Sequence, residues 1–228
     1  MIIINPYRFA VAPSTLLTGL TASYSLDGNA TKNVGTNNGT ATNVTYTTGK
    51  FGQCAFFNGT GSIKIADSSD WNFAASDFAI SLWLKRGTIG SRQIFCGQIG
   101  SSGTNNTVNV FVEFQSNDTI RAVFASGTTL YTTLASTNTI AETTTWHNVI
   151  IQRNGTNFYI IVDGTQWATS SLGAITLNDS TASFSLGAPG DLAAFYFNGY
   201  VDEANIWNGR YLTSTEITEL QTKYYPFT

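Results

Sequence analysis

The sequence predicts an all-β fold, a two-sheet antiparallel sandwich with one short C-terminal helix. Three observations carry that prediction. Short stretches of alternating apolar and polar residues recur from Leu20 onward, clusters of Gly, Asn, Asp and Ser separate them, and a single segment near the end has helical spacing. Period-two alternation marks the half-buried antiparallel strand. Many short strands with little helix imply a sandwich or barrel. The 228 residues suit one domain of this kind, since all-β domains commonly run to roughly 200–250 residues. A chain of that length buries a full core without a disulfide or metal staple.

Residues 1–18 hold Pro6 and Pro13, show no sustained alternation and read as an N-terminal arm. The arm either packs on the sandwich or docks on another protein, and Ile2-Ile3-Ile4 requires cover from one or the other. Residues 19–228 read as the domain itself. Ala22, Tyr24 and Leu26 alternate with Thr21, Ser23 and Ser25, and Ile63 and Ile65 flank Lys64. Phe78, Ile80, Leu82 and Leu84 alternate with Ala79, Ser81, Trp83 and Lys85. Val108, Val110, Val112 and Phe114 form the next set, and Phe158, Ile160 and Val162 another. Asn154-Gly155 and Asp163-Gly164 each read as a type I′ hairpin turn, because both residue pairs tolerate positive φ. Thr213-Ser214-Thr215-Glu216 fits a capping box, Ile217, Leu220 and Tyr224 follow at helical spacing, and Pro226 closes the segment.

Composition narrows the function classes. Charged residues make up 11% of the chain, against a usual share of about 25%. Polar surface therefore comes from Thr, Ser, Asn and Gly. The net charge is −3 and no Lys/Arg run occurs, so the electrostatic footprint of a nucleic-acid binder is missing. No apolar run is long enough for a membrane span. Met1 to Phe9 lacks the basic and long apolar regions of a signal peptide. Cys54 and Cys96 lie in apolar stretches and read as buried free thiols rather than zinc ligands.

Four segments, in order, resemble the concanavalin A-like, laminin G-like jelly-roll family. They are Tyr24–Ala30 with Asn37–Thr40, Thr48–Gly59, Trp146–Val149 leading to Ile161–Gly164, and Phe197–Asn208 with Leu212-Thr213 downstream. The resemblance spans about residues 19 to 225. It implies a jelly roll in which Val201–Ala204 return beside the first strand. It also implies one calcium ion near that junction, held by Asp27, the Gly28-Asn29 backbone and Asp202. Calcium takes about six to eight oxygen ligands, so carboxylates with loop carbonyls are the right chemistry. The chain departs from the family where another acid usually follows: Thr31-Lys32-Asn33 stands there, and Lys32 adds a positive charge. Without the ion, Asp27 reads as a turn cap and Asp202 as the ion-pair partner of a Lys or Arg.

Catalytic machinery is not apparent. His147 is the one histidine, and the resemblance implies a structural strand position for it. A retaining glycosidase needs two acids on one face. Asp202 and Glu203 are adjacent, which on a regular strand points them to opposite sides. Glu113 stands alone on its strand, with Asp118 beyond the next turn. The aromatics Trp83, Phe111, Trp167 and Tyr196 are candidates for stacking on sugar faces, with Tyr131 and Phe195 in similar loop contexts. Burial in the core is the other reading of each.

The sequence therefore points to a non-catalytic surface structural or adhesion module. A bacteriophage virion decoration, fibre or tail protein displaying a lectin-like domain fits the low charge, the missing leader and the arm. Such a protein sits on the virion surface or outside the cell, joins other virion or surface proteins through its arm, and forms a homo-oligomer. The alternative is a free carbohydrate-binding module of a secreted bacterial protein, with cell-surface glycan as its partner.

Overall fold

The computed structural model describes residues 14–101, 107–127 and 130–227. The strands are β1 (Leu20–Tyr24), β2 (Gly39–Thr48), β3 (Gln53–Ile65), β4 (Phe78–Arg86), β5 (Gln93–Ile99), β6 (Val108–Phe114) and β7 (Thr119–Ser126). Then follow β8 (Leu130–Thr139), β9 (His147–Asn154), β10 (Asn157–Val162), β11 (Thr165–Ser171), β12 (Phe184–Leu186) and β13 (Asn198–Asn208). One α-helix among the described residues, α1 (Ser214–Glu219), comes last. No helix among the described residues is long and apolar enough to cross a membrane.

The sandwich forms as the alternation predicts, but its two layers are one hydrogen-bonded sheet. Strand order runs β11-β10-β9-β4-β13-β3-β12-β5-β6-β7-β8, with β1 on β13 and β2 on β3. The joint is β3. Its first part pairs with β13 through Ala55, Phe56, Phe57 and Asn58, and its last part pairs with β12 through Ile63, Lys64 and Ile65. Gly59 has φ +85°, and a Cβ on Gly61 would lie 2.4 Å from the Asn43 carbonyl oxygen. β2 shifts register at that same point. Glycines let the two strands bend together from one layer into the other. At the far side β8 packs against β11 and nearly closes the sheet.

The core fills the space between the layers. Phe78, Ile80, Leu82 and Leu84 of β4 meet Val110, Val112 and Phe114 of β6, with Phe124 and Phe158 between them. These are the residues that the alternation places inward. The opposite face of β4 is also covered, by Trp207, Leu212, Ile217, Leu220 and Phe227. The capping box is present, with Thr213 and Glu216 bonding each other's backbone N–H. Tyr224, expected on the apolar side of the helix, is instead beyond it and half exposed.

Two turns separate cleanly. Asp163 and Gly164 both have positive φ between Val162 and Thr165, so the expected type I′ turn forms. At the other, Asn154 pairs with Asn157, and the central residues are Gly155 and Thr156. Only Gly155 has positive φ. That is the type II′ pattern, because Asn154 is the last strand residue rather than the first turn residue.

Residues 1–13 of the expected arm lie outside the described residues. Residues 14–18 fold onto α1. Ser14 Oγ donates to Glu219 at 2.6 Å, Thr15 Oγ1 donates to Glu216 at 2.6 Å, and Trp207 Nε1 donates to the Leu16 carbonyl at 2.7 Å. Leu16 is fully buried. Arg210 pairs with Glu216 and also donates to the Thr18 carbonyl.

Candidate functional site

The outer face of β5, β6 and β7 carries a cleft. Asn109, Phe111 and Glu113 point away from the core because Val110, Val112 and Phe114 point into it. Ile94, Ile99, Val108, Phe111, Val123 and Ala125 form a separate apolar cluster there, with Leu192 packed on it. Phe111 lies against Gly97, its strand partner. A Cβ at Gly97, where φ is +150°, would sit 2.4 Å from Phe111 Cβ. Glycine at 97 is thus what leaves the ring its place.

The other wall comes from the segment after β12. Phe195 has φ +51°, and its carbonyl accepts the Ile94 N–H at 2.8 Å. This turn holds its ring at the surface, 42% exposed. The Arg92 guanidinium lies 4.0 Å from the Phe195 ring centroid. Arg92 Nε donates to Glu113 Oε2 at 2.7 Å, and Arg121 Nε donates to Glu113 Oε1 at 2.6 Å. Glu113 is fully buried. The space enclosed is about 400 Å³, with Phe111, Phe195, Leu192 and Val123 as apolar lining and Arg92, Arg121 and Thr133 as polar lining. A flat apolar lining with a few convergent donors is a small-molecule site in form.

Neither neighbouring acid is free for chemistry. Both oxygens of Glu113 are held by arginines. Asp118 accepts from Arg86 at 2.7 Å and from the Gly90 N–H at 2.7 Å. His147 lies between Asp163 Oδ2 at 2.7 Å and Glu142 Oε1 at 2.9 Å, so both ring nitrogens face carboxylates. The hydrogen bond to Asp163, more than any other contact, raises the imidazole pKa.

Asp27 and Asp202 converge at a notch in the β13 ladder. The neighbour of β13 changes there from β3 to β1, and the register slips between Asp202 and Asn205 with Glu203 at φ +50°. The slip overturns the simple alternation expected of Asp202 and Glu203: both are buried. Asp202 pairs with no Lys or Arg among the described residues. Its Oδ2 accepts the Phe51 N–H at 3.0 Å, and its Oδ1 is buried with no donor. Asp27 Oδ1 accepts the Gln53 N–H at 2.6 Å. Burial pushes Asp202 up to about 7 and Glu203 up to about 8, with Asp27 adding repulsion to both. The Asn29 amide is spent in its own turn, its oxygen on Thr31 N–H and its nitrogen on the Asp27 carbonyl; Gly28 N–H donates to Leu26. Among the described residues no group of three or more His, Cys, Asp or Glu is placed to hold a metal ion. The orphaned Asp202 Oδ1 is the observation that fits a cation.

The four aromatics read together from the sequence are dispersed. Phe111 lines the cleft. Tyr196 is half-buried and bridges to Ile94 behind it. Trp167 packs against the main core from β11. Trp83, expected to be open on the polar face, is 5% exposed. Phe51 contacts it edge-on at 5.9 Å and Lys50 Nζ covers it at 4.3 Å. The Tyr131 side chain lies outside the described residues. No local pattern marks Arg92, Arg121 and Leu192, because the wall that closes the cleft over the consecutive strands β5–β8 comes from Leu192 and Phe195, far along the sequence. One signal existed: a hairpin after Phe114 puts Glu113 opposite Arg121. Cys54 and Cys96 are free and buried, and burial pushes the Cys54 thiol up to about 12.

A family model described as the concanavalin A-like lectin/glucanases superfamily matches residues 57–218. Among solved structures, domain 4 of a GH43 extracellular arabinanase from Geobacillus stearothermophilus, in complex with arabinotriose, is similar at 21% identity and TM-score 0.71. The match covers 89% of this chain and 98% of that one. The binding domain of Paraclostridial Mosquitocidal Protein 1 is similar at 15% identity and TM-score 0.71, over 89% of this chain and 52% of that chain. The botulinum neurotoxin serotype G binding domain follows at 14% identity and TM-score 0.68, over 88% and 50%. This chain therefore spans about half of each toxin binding domain. At these identities the likeness is one of fold. No curated protein matches the sequence.

Proposed function

Since the chain belongs to the concanavalin A-like lectin/glucanases superfamily, we propose that it is a non-catalytic glycan-binding module whose site is the Phe111–Phe195 cleft. The observation that carries this reading is the exposed Phe195 ring, held at the cleft by a left-handed backbone and flanked by Arg92. A sugar ring lays its apolar face on Phe195, and its hydroxyls take bonds from Arg92, Arg121 and Thr133. Glu113 serves to fix the two arginines rather than to react. The similar arabinanase domain was solved with arabinotriose, which makes arabinotriose the first probe. By titration calorimetry, Phe195→Ala is expected to weaken binding at least tenfold while leaving the melting temperature within about 2 °C, as befits an exposed side chain. Unchanged affinity would reject the cleft as the site.

Display on a virion or other surface assembly is the finer form of this reading. The low charge and the 1–18 segment support it. Light scattering is expected to find an oligomer for the full chain and a monomer once residues 1–13 are removed. An unchanged mass would reject anchoring by that segment. A calcium ion at the notch is likewise proposed, on the strength of the unpartnered Asp202 Oδ1.

A further inference from the structure

The outer face of β9, β4, β13 and β3 carries a second feature, remote in the fold from the cleft on β5–β7. Towards Ala79 and Trp207 this face is sealed by α1 and the C-terminal residues. Further along the same strands the cover ends, and a row of rings crosses them. Lys85, Tyr200 and Phe56 are direct cross-strand partners, on β4, β13 and β3. Tyr200 and Phe56 have centroids 4.8 Å apart, and Trp146, just before β9, lies 6.2 Å from Tyr200. All four of these side chains are half-buried, one face in the sheet and the other in solvent.

One ammonium group lies on this row of rings and a second lies on Trp83 of the same face. Lys85 Nζ is 4.4 Å from the Tyr200 centroid and 5.6 Å from that of Trp146. Lys50 Nζ is 4.3 Å from Trp83, which shares the face of Lys85 two residues along β4. Every other described lysine and arginine has an oxygen partner: Lys32, Lys64, Lys223, Arg86, Arg92, Arg121, Arg153 and Arg210. Lys50 and Lys85 have none. The two unpaired cations of the described chain thus fall on one face, each beside aromatic rings. Asp202, the strand partner of Trp83, is sealed beneath the Lys50-Phe51 turn and forms no ion pair with either lysine.

We propose that this face is a second glycan site, selective for acidic saccharides of the uronate or sialate type. The sugar carboxylate takes the place of the missing counterion at Lys85 and Lys50. The sugar's apolar face stacks on Tyr200 and Trp146, whose rings already hold the lysine in position by cation–π attraction. Two cations are too few for a polyphosphate chain on a protein of net charge −3, whereas a single carboxylate beside a stacking ring uses what the face offers.

The test is calorimetry on the full chain with trigalacturonate, its methyl ester, 3′-sialyllactose and lactose. At least one acidic probe is expected to bind, with its neutral counterpart at least tenfold weaker, and added salt weakens the acidic complex. Lys85→Gln is expected to lose at least tenfold, Lys85→Arg to retain binding, and Tyr200→Leu to lose binding while keeping the apolar contact with Phe56. Melting temperatures of the variants confirm folding. Retained binding in Phe195→Ala separates this site from the cleft, so either site can fail alone. If trigalacturonate binds and sialyllactose does not, the sugar is a uronate; the reverse makes it a sialate. Absence of binding to both acidic probes, equal binding of acid and ester, or loss in Phe195→Ala but not in Lys85→Gln overturns the proposal.

Discussion

Asp118→Ala is expected to cost about 3–5 kcal/mol of folding stability, the usual price of stranding a buried charge. Arg86 is fully buried, and its guanidinium has three supports: Asp118 Oδ1 at 2.7 Å, the Ile140 carbonyl at 2.6 Å and the Phe114 ring at 4.1 Å. Two of its nitrogens have no hydrogen-bond acceptor, so the aromatic face and the single carboxylate hold the charge. Burial would raise the Asp118 carboxyl, but the Gly90 N–H and the Arg86 guanidinium outweigh it and hold it below the usual range. Removing the carboxylate leaves a buried cation in an apolar interior. For a chain of this size the loss corresponds to a fall of roughly 6–20 °C in melting temperature. The double variant Asp118→Ala with Arg86→Met removes both charges and is expected to recover much of the loss. Thermal unfolding at pH 7 checks both. A single variant within about 1 °C of the parent would show that the pair carries no such weight.

Asp202→Asn is expected to act in the opposite direction. Burial raises Asp202 to about 7 and Glu203 to about 8. The unfolded chain ionises both near pH 4, whereas the folded chain holds the protons until near neutrality. The unfolded state therefore binds fewer protons over that interval, and stability falls as pH rises from about 4 to about 8. Asparagine keeps the acceptor for the Phe51 N–H and carries no charge. In chelator at pH 8 the variant should be more stable by about 2–4 kcal/mol, since each unit of pKa is worth about 1.4 kcal/mol. At pH 4 the two proteins should match. Calcium adds a second arm. An ion on Asp202 Oδ1 raises the melting temperature of the parent at pH 8 and leaves Asp202→Asn unmoved. If calcium moves neither protein, the notch is a buried acid pair and not a metal site. If the variant is no more stable in chelator, Asp202 is already ionised at little cost.

The strands were legible because the face of each that lines the space between the layers is apolar, and period two follows from that, even where the other face is covered as well, as on β4 and β6. The inner faces of β4, β6 and β10 appear residue for residue in the alternation. The helix was legible because its capping box is local. What escaped the sequence depends on departures from regularity. The slip at Glu203 turns adjacent acids into a buried pair, and no pattern of apolar residues signals a bulge. Trp83 looked open because its strand alternates, yet the cover comes from the Lys50-Phe51 turn, which is distant in sequence. The cleft needs Gly97, Phe111, Arg121 and Phe195 together, from three strands and a loop. The turn at Asn154-Gly155 lies one residue later than expected, since strand ends carry no sharp mark of their own.

The seating of Ser14, Thr15 and Leu16 on α1 and Trp207 brings the two ends of the described chain together. Tension applied to both ends would act on that clasp and on the β1–β13 pairing first, and little of it would cross the sandwich. The cleft and the ring-bearing face would then keep their shape in a chain under load, because the mechanical path between the ends bypasses them.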